Sequence, residues 1–258
     1  MSIELTVSND IAEITLDRPE KHNAFDDAVI DELIAAFEDA GASRSARVIV
    51  LRANGKHFSA GADLGWMRRM ADMSRKENMA DAERLAVLMQ CIDNAAKPVI
   101  CRVQGAAFGG ALGLICASDI AIAADNSRFC LSEVKLGILP AVISPYVVRA
   151  MGARQARRYF MSGEVIQAQR AEQIGLVHEV VEQEKLDEAV DQCITALLAG
   201  APTAQLRARE LINRVADKTP EKSVIHYTAE LIAELRSADE GREGLSAFLE
   251  KREPEWRQ

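Results

Sequence analysis

A carboxylate set in an apolar run is the first residue of this sequence that could move a proton. Glu133 stands in Leu131-Ser132-Glu133-Val134-Lys135-Leu136-Gly137, with apolar residues on both sides. A carboxyl taken out of water holds its proton more tightly, which suits proton transfer near neutral pH. A solvated glutamate opening a helix is the other reading of the same residues. A second chemistry lies in Val103-Gln104-Gly105-Ala106-Ala107-Phe108-Gly109-Gly110-Ala111-Leu112-Gly113. Gly109 and Gly110 carry no β-carbon, so a ligand can approach the backbone closely. Free N–H groups at a helix start point at such a ligand, and the helix dipole favours negative charge there. That arrangement suits a developing oxyanion. Small residues at this spacing also serve close packing of helix on strand. A third stretch, Gly55-Lys56-His57-Phe58-Ser59-Ala60-Gly61-Ala62-Asp63-Leu64, is small and glycine-containing, and could supply a second oxyanion donor.

These stretches need elements to hold them. Ile3 to Val7 and Ile11 to Leu16 alternate polar and apolar residues around Ser8-Asn9-Asp10, which predicts a hairpin. Asp26 can cap a helix whose apolar face is Val29, Ile30, Leu33, Ile34 and Phe37. Arg47 to Arg52 and Pro98 to Val103 read as buried strands, the second followed by a tight turn and a buried helix start at Leu114. Met67 to Met79, next to Trp66, mixes Met with Arg and Lys. It reads as an ordinary amphipathic helix or as an adaptable wall over a pocket. Asp81 to Ile92 is helical, Asp119 to Ala123 and Ser127 to Leu131 are strands. Helices are expected over Val142 to Met151, Arg154 to Met161 and Ala168 to Ile174, with a short strand from Leu176 to Val181. From Glu184 the chain is almost wholly helical to Leu249. Strand and helix in alternation imply α/β architecture with largely parallel pairing.

Composition narrows the function. The 258 residues carry a net charge of −8 and no long basic run, which argues against nucleic acid as the main partner. Cys91, Cys101, Cys116, Cys130 and Cys193 are scattered and read as reduced core residues of a cytoplasmic protein. The four histidines show no metal-ligand spacing, so no metal site is expected. Met1-Ser2-Ile3-Glu4-Leu5-Thr6 does not read as a signal peptide, and no apolar run is long enough to span a membrane.

Four segments together resemble the crotonase family, the enoyl-CoA hydratase/isomerase superfamily: Asp17-Arg18-Pro19-Glu20-Lys21-His22-Asn23-Ala24, His57-Phe58-Ser59-Ala60-Gly61-Ala62-Asp63-Leu64, Gln104-Gly105-Ala106-Ala107-Phe108-Gly109-Gly110 and Leu131 to Gly137. Gly244-Leu245-Ser246-Ala247-Phe248-Leu249-Glu250-Lys251-Arg252 is similar to the family's C-terminal helix. The resemblance implies an α/β spiral of ββα repeats over residues 1–195 that holds an acyl-CoA site. A helical trimerisation region over residues 196–258 would give a trimer, or a hexamer made of two trimers. It implies an acyl-CoA thioester whose carbonyl oxygen lies between the N–H groups of Ala62 and Gly110, with Glu133 as the catalytic carboxylate. Lys21, His22, Ala24, Ala60, Ala62, Asp63, Leu64, Gly65 and Gly110 would line the CoA path. No metal and no cofactor is implied, since CoA arrives with the substrate.

Within the family, Phe108 to Leu114 and Pro140-Ala141-Val142-Ile143-Ser144-Pro145 are similar to bacterial methylglutaconyl-CoA hydratases and the related carboxygeranoyl-CoA hydratases. The implied reaction is hydration of 3-methylglutaconyl-CoA or a related branched, carboxylated 2-enoyl-CoA. One residue departs from the pattern: two-glutamate hydratases carry a glutamate where this chain has Gly113. An isomerase with one glutamate base and a silent acyl-CoA-binding homologue stay open. The substrate's own carboxylate, Asp81 or Glu77 could replace the missing group.

Overall fold

The computed structural model describes residues 2–216 and 218–257. The chain divides into two compact units, Met1–Gln192 and Cys193–Gln258. The first opens with the hairpin β1 (Ile3–Ser8) and β2 (Asp10–Leu16). Its turn is made by Asn9 and Asp10, at φ 50° and 64°. These two residue types tolerate the left-handed region that a tight hairpin turn demands. Helix α1 (Asp27–Ala42) starts where the Asp26 carboxylate accepts the Val29 N–H, and buries the face formed by Val29, Ile30, Leu33, Ile34 and Phe37.

Strand β3 (Ala46–Ala53) is followed by α2 (Leu64–Asp72) and α3 (Arg75–Asp93). The Met-rich stretch is thus two helices. The break comes at Ser74, whose hydroxyl accepts the Glu77 N–H while the Glu77 carboxylate accepts the Ser74 N–H, a reciprocal cap that starts a new helix. Strand β4 (Val99–Val103) is next. The turn expected after it holds a further strand, β5 (Ala106–Phe108), before α4 (Ala111–Ala117). Gly105 makes this possible: at φ 62° it swings the chain out of one sheet and into another. Then come β6 (Ile120–Ala124), β7 (Arg128–Cys130), α5 (Ser144–Ser162), β8 (Ile166–Gln167), α6 (Ala168–Gln173) and β9 (Glu179–Val181). The two helices expected around residue 152 run on as α5 across a kink at Gly152, which has non-helical φ 76° and ψ 154°.

The larger sheet has the order β1-β2-β3-β4-β6-β9. Only β1 and β2 are antiparallel in it; the other pairs are parallel. The smaller sheet is β5-β7-β8. Phe25, Phe58, Phe129, Leu51, Leu88 and Met89 are fully buried in the core beneath. Strands β3, β4 and β6, inside the larger sheet, are near-continuous apolar runs because both faces are covered.

Helix α7 (Leu186–Ala199) spans the boundary between the units. The second unit continues with α8 (Pro202–Val215), α9 (Lys222–Ser237) and α10 (Asp239–Glu250). Within it the Trp256 indole donates to the Ala199 carbonyl at 3.3 Å and lies against Gly244, where a β-carbon would come 2.9 Å from the ring. Phe248 and Leu249 stay 81% and 78% exposed on α10. Among the described residues, no helix is long and apolar enough to cross a membrane.

Candidate active site

Two short backbone ladders create the site. Phe25 and Ala62 form a parallel bridge in which Phe25 N–H donates to Gly61 and Asp63 N–H donates to Phe25, each at 2.9 Å. Alternation along an extended segment turns the N–H of Ala62 the other way. Ser59 and Ala107 form a second bridge: Ser59 N–H reaches Ala106 at 3.1 Å, and Phe108 N–H reaches Ser59 at 3.0 Å. Gly109 N–H continues the β5–β7 ladder to Cys130 at 2.8 Å, and Gly110 caps α4. Among the described residues, the Ala62 and Gly110 N–H groups have no hydrogen-bond acceptor.

The approach of these segments depends on glycine. A β-carbon on Gly61, at φ 89°, would come 2.7 Å from the Phe108 carbonyl oxygen. One on Gly110 would come 2.7 Å from Phe25 Cζ. One on Gly109 would come 3.4 Å from Glu133 Oε1, which puts the carboxylate beside the turn that carries the Gly110 donor.

Glu133 opens a 3-10 turn, Glu133–Leu136, closed by Gly137 at φ 77°. Its Oε2 is buried and has no hydrogen-bond partner among the described residues. Burial pushes the carboxyl above its ordinary pKa, against a smaller opposing pull from its own backbone N–H. A buried polar oxygen left without a partner is costly, so its retention calls for a use.

Gly113 has the opposite surroundings. A β-carbon there would lie 2.7 Å from Met89 Sδ, 2.9 Å from Ile143 Cβ and closer still to Ile143 Cγ2. Met89 and Ile143 are themselves buried, so a side chain here would force both to shift. Of the two other carboxylates considered, Glu77 is engaged in the α3 cap, where Ser74 N–H and Oγ reach it at 2.8 and 2.6 Å and hold its pKa down. Asp81 accepts the Trp66 indole N–H at 3.1 Å, and its carboxyl is pushed up by partial burial. Trp66 is buried, with its ring 6.4 Å from that of Phe25.

The residues expected along the CoA path share one rim. Lys21 is exposed, with Nζ 3.5 Å from Asp63 Oδ2. Ala60 N–H donates to the His22 carbonyl, and Ala24 N–H to that of Lys21. Ala60, Leu64 and Gly65 are exposed, whereas Ala24 is buried. Asp63 is occupied structurally: Oδ1 accepts the Gly65 and Trp66 N–H groups at the start of α2. Burial raises its pKa, but Trp66, Gly65 and Lys21 together outweigh this and hold it low.

Sequence reasoning missed the residues that fasten this rim. The Asn23 amide donates to the Asn54 and His57 carbonyls and accepts the Arg18 N–H. Arg18 reaches the Ala24 carbonyl, Asp26 at 3.3 Å and Asp63 at 3.8 Å. Both stand in the quoted motif from Asp17 to Ala24; their types alone, donors able to bridge several carbonyls, were the signal.

The model of the family described as enoyl-CoA hydratase/isomerase matches residues 6–258. A crystal structure described as an enoyl-CoA hydratase from Shewanella pealeana superposes with a TM-score of 0.97 at 48% identity, covering 99% of this chain and 96% of that one. A 2,3-dehydroadipyl-CoA hydratase of Escherichia coli is 31% identical over 95% of this chain and 94% of its own length. A trans-2-decenoyl-[acyl-carrier-protein] isomerase of Streptococcus mutans is 30% identical over 97% of this chain and 95% of its own.

Proposed function

We propose that this chain, which belongs to the enoyl-CoA hydratase/isomerase family, hydrates a 2-enoyl-CoA with Glu133 as the sole glutamate at the reacting carbons. The observation that carries this reading is the buried, unpartnered Oε2 of Glu133 beside two unengaged N–H groups. The thioester oxygen accepts hydrogen bonds from Ala62 and Gly110. As water adds at the β-carbon, Glu133 takes its proton and the electron pair of the double bond moves toward the thioester, giving an enolate. The α-carbon then takes the proton back from Glu133. Each oxyanion donor of this kind is worth about 2.7–4 kcal/mol in the transition state. Proton transfer and oxyanion binding complete the cycle, so the reading needs no metal and no cofactor. Lys21 and His22 face the CoA phosphates from the rim, Lys21 as a charge shared with Asp63.

We infer that the acyl group is branched and carboxylated, as in 3-methylglutaconyl-CoA. The resemblance of residues 140–145 supports this, as does a relative named for 2,3-dehydroadipyl-CoA. The closed position at Gly113 favours one second reading, an isomerase in which Glu133 alone moves a proton along the acyl chain; the isomerase relative adds to it. The five free cysteines fit a cytoplasmic setting. The exposed Leu245, Phe248 and Leu249 fit burial between subunits of a trimer or hexamer, and a monomer in light scattering ends that part of the reading.

Purified protein assayed against straight, branched and carboxylated enoyl-CoAs tests the proposal. Loss of the conjugated thioester absorbance with water incorporated supports hydratase. A double-bond shift without water supports isomerase, and binding without turnover ends both. If the substrate's carboxylate assists, carboxylated substrates turn over far faster than uncharged ones of equal size. If Asp81 assists, Asp81→Asn loses turnover on all of them while Glu77→Gln, in an exposed helix cap, does not.

A further inference from the structure

His57 has no part in the proton transfers above, yet it sits where the two donor-bearing segments meet. Its Nδ1 accepts the Ala106 N–H at 3.1 Å. The Ala106 carbonyl takes the Ser59 N–H at 3.1 Å, and Phe58 N–H reaches the Gln104 carbonyl at 2.8 Å. The His57 carbonyl takes the Asn23 amide at 2.9 Å, two residues before the Phe25 that bridges Ala62. Gly105, at φ 62°, lets the backbone come this near; a β-carbon there would lie 2.7 Å from His57 Nδ1. We propose that His57 is a positioning residue for the oxyanion site: its unprotonated Nδ1 holds β5, and with it the Gly110 donor, in register with the segment that ends at Ala62. This rests on the reading of Ala62 and Gly110 as the oxyanion donors.

An imidazole can accept at Nδ1 only while that nitrogen carries no proton, so the bond assigns the proton to Nε2. The groups around the ring enforce this state. His22 meets it edge-on from the loop before α1 at 5.3 Å, Lys56 adjoins it in its own segment, and Arg128 faces it from β7. Burial first, then these three, hold its pKa below the ordinary histidine value. Once protonated, both ring nitrogens donate, the Ala106 N–H loses its acceptor, and the tie opens. His178 is an internal control. Its Nδ1 accepts the Ala121 N–H at 3.0 Å in the same way, on β6, a strand that carries no residue of the site.

The test compares the wild type with His57→Asn, His57→Ala and His178→Ala. The asparagine amide oxygen replaces Nδ1 as an acceptor and does not titrate. Nitrogen-15 NMR of histidine is expected to find His57 Nδ1 unprotonated at neutral pH, with the Ala106 amide protected from exchange until His57 titrates. A protonated Nδ1 at neutral pH overturns the proposal whatever the enzyme turns over. In kinetics, His57→Ala loses roughly ten- to a hundredfold in kcat with KM nearly unchanged, while His57→Asn stays within about threefold. The acid limb of the wild type is steeper than one proton because Glu133 and His57 both titrate; that of His57→Asn reports one. Equal kcat in His57→Ala and His178→Ala, or an unchanged acid limb in His57→Asn, overturns the positioning role. Absent turnover in the wild type, with the NMR tie intact, defeats the catalytic reading and not the tie.

Discussion

Glu133 and Gly113 stand twenty residues apart and face opposite surroundings. Around Glu133 one carboxylate oxygen is buried with no partner among the described residues, and the chain beside it is glycine. Around Gly113 the sulfur of Met89 and the branches of Ile143 fill the space a side chain would need. A glycine can be vacant, leaving a cavity for water or substrate, or closed, with its neighbours grown into the room. Gly113 is closed. The absence of a second glutamate is therefore a property of three residues on α4, α3 and the loop before α5, and one substitution does not reverse it.

Removing the open partner has the largest effect. Glu133→Gln keeps shape and abolishes the base, so turnover is expected to fall by about 10²–10⁴ with acyl-CoA affinity nearly intact. Steady-state kinetics beside calorimetric binding measure both. Turnover near that of the wild type would erase the difference between the two positions.

Filling the closed partner comes next. Gly113→Glu is expected to lower stability by at least about 1–3 kcal/mol through overpacking, with no gain in hydration. Adding Met89→Ala and Ile143→Ala recovers part of the melting temperature, since the strain is theirs to relieve. A Gly113→Glu protein that melts like the wild type would mean the position is open after all.

The smallest effect sharpens the comparison from the side of charge. The Glu133 pKa is raised in the folded chain. Its contribution therefore favours folding at low pH and is lost as pH rises through the folded value. At neutral pH the ionised, unpartnered carboxylate works against the fold. Glu133→Gln should raise the melting temperature there, and the gain should shrink as the pH falls below the carboxylate range. A gain that grows toward acid would contradict the assigned shift.

Local patterns made much of this legible. The Asp26 cap and the spacing from Val29 to Phe37 determine α1, whereas the apolar flanks of Glu133 do not account for its buried setting, because Val134, Leu136, Ile138 and Leu139 are themselves exposed. Ser74 and Glu77 carried the spacing of a reciprocal cap, so the break between α2 and α3 was written there although the Met-rich composition drew the eye. The closure of Gly113 was not legible, because Met89 and Ile143 lie 24 and 30 residues away and only the packing of α3 and of the start of α5 on α4 brings them together. Strand β5 was hidden for a related reason: three residues, placed by one glycine turn, have no periodicity of their own.

The central claim is geometric, and one structure tests it most directly. Glu133→Gln, slowed enough to hold an intact 2-enoyl-CoA, should bind it with the thioester oxygen about 2.7–3.1 Å from both the Ala62 and Gly110 nitrogens. The amide that replaces the Glu133 carboxylate should face the α-carbon. A thioester oxygen bound elsewhere, or an α-carbon out of reach of that amide, would contradict the account.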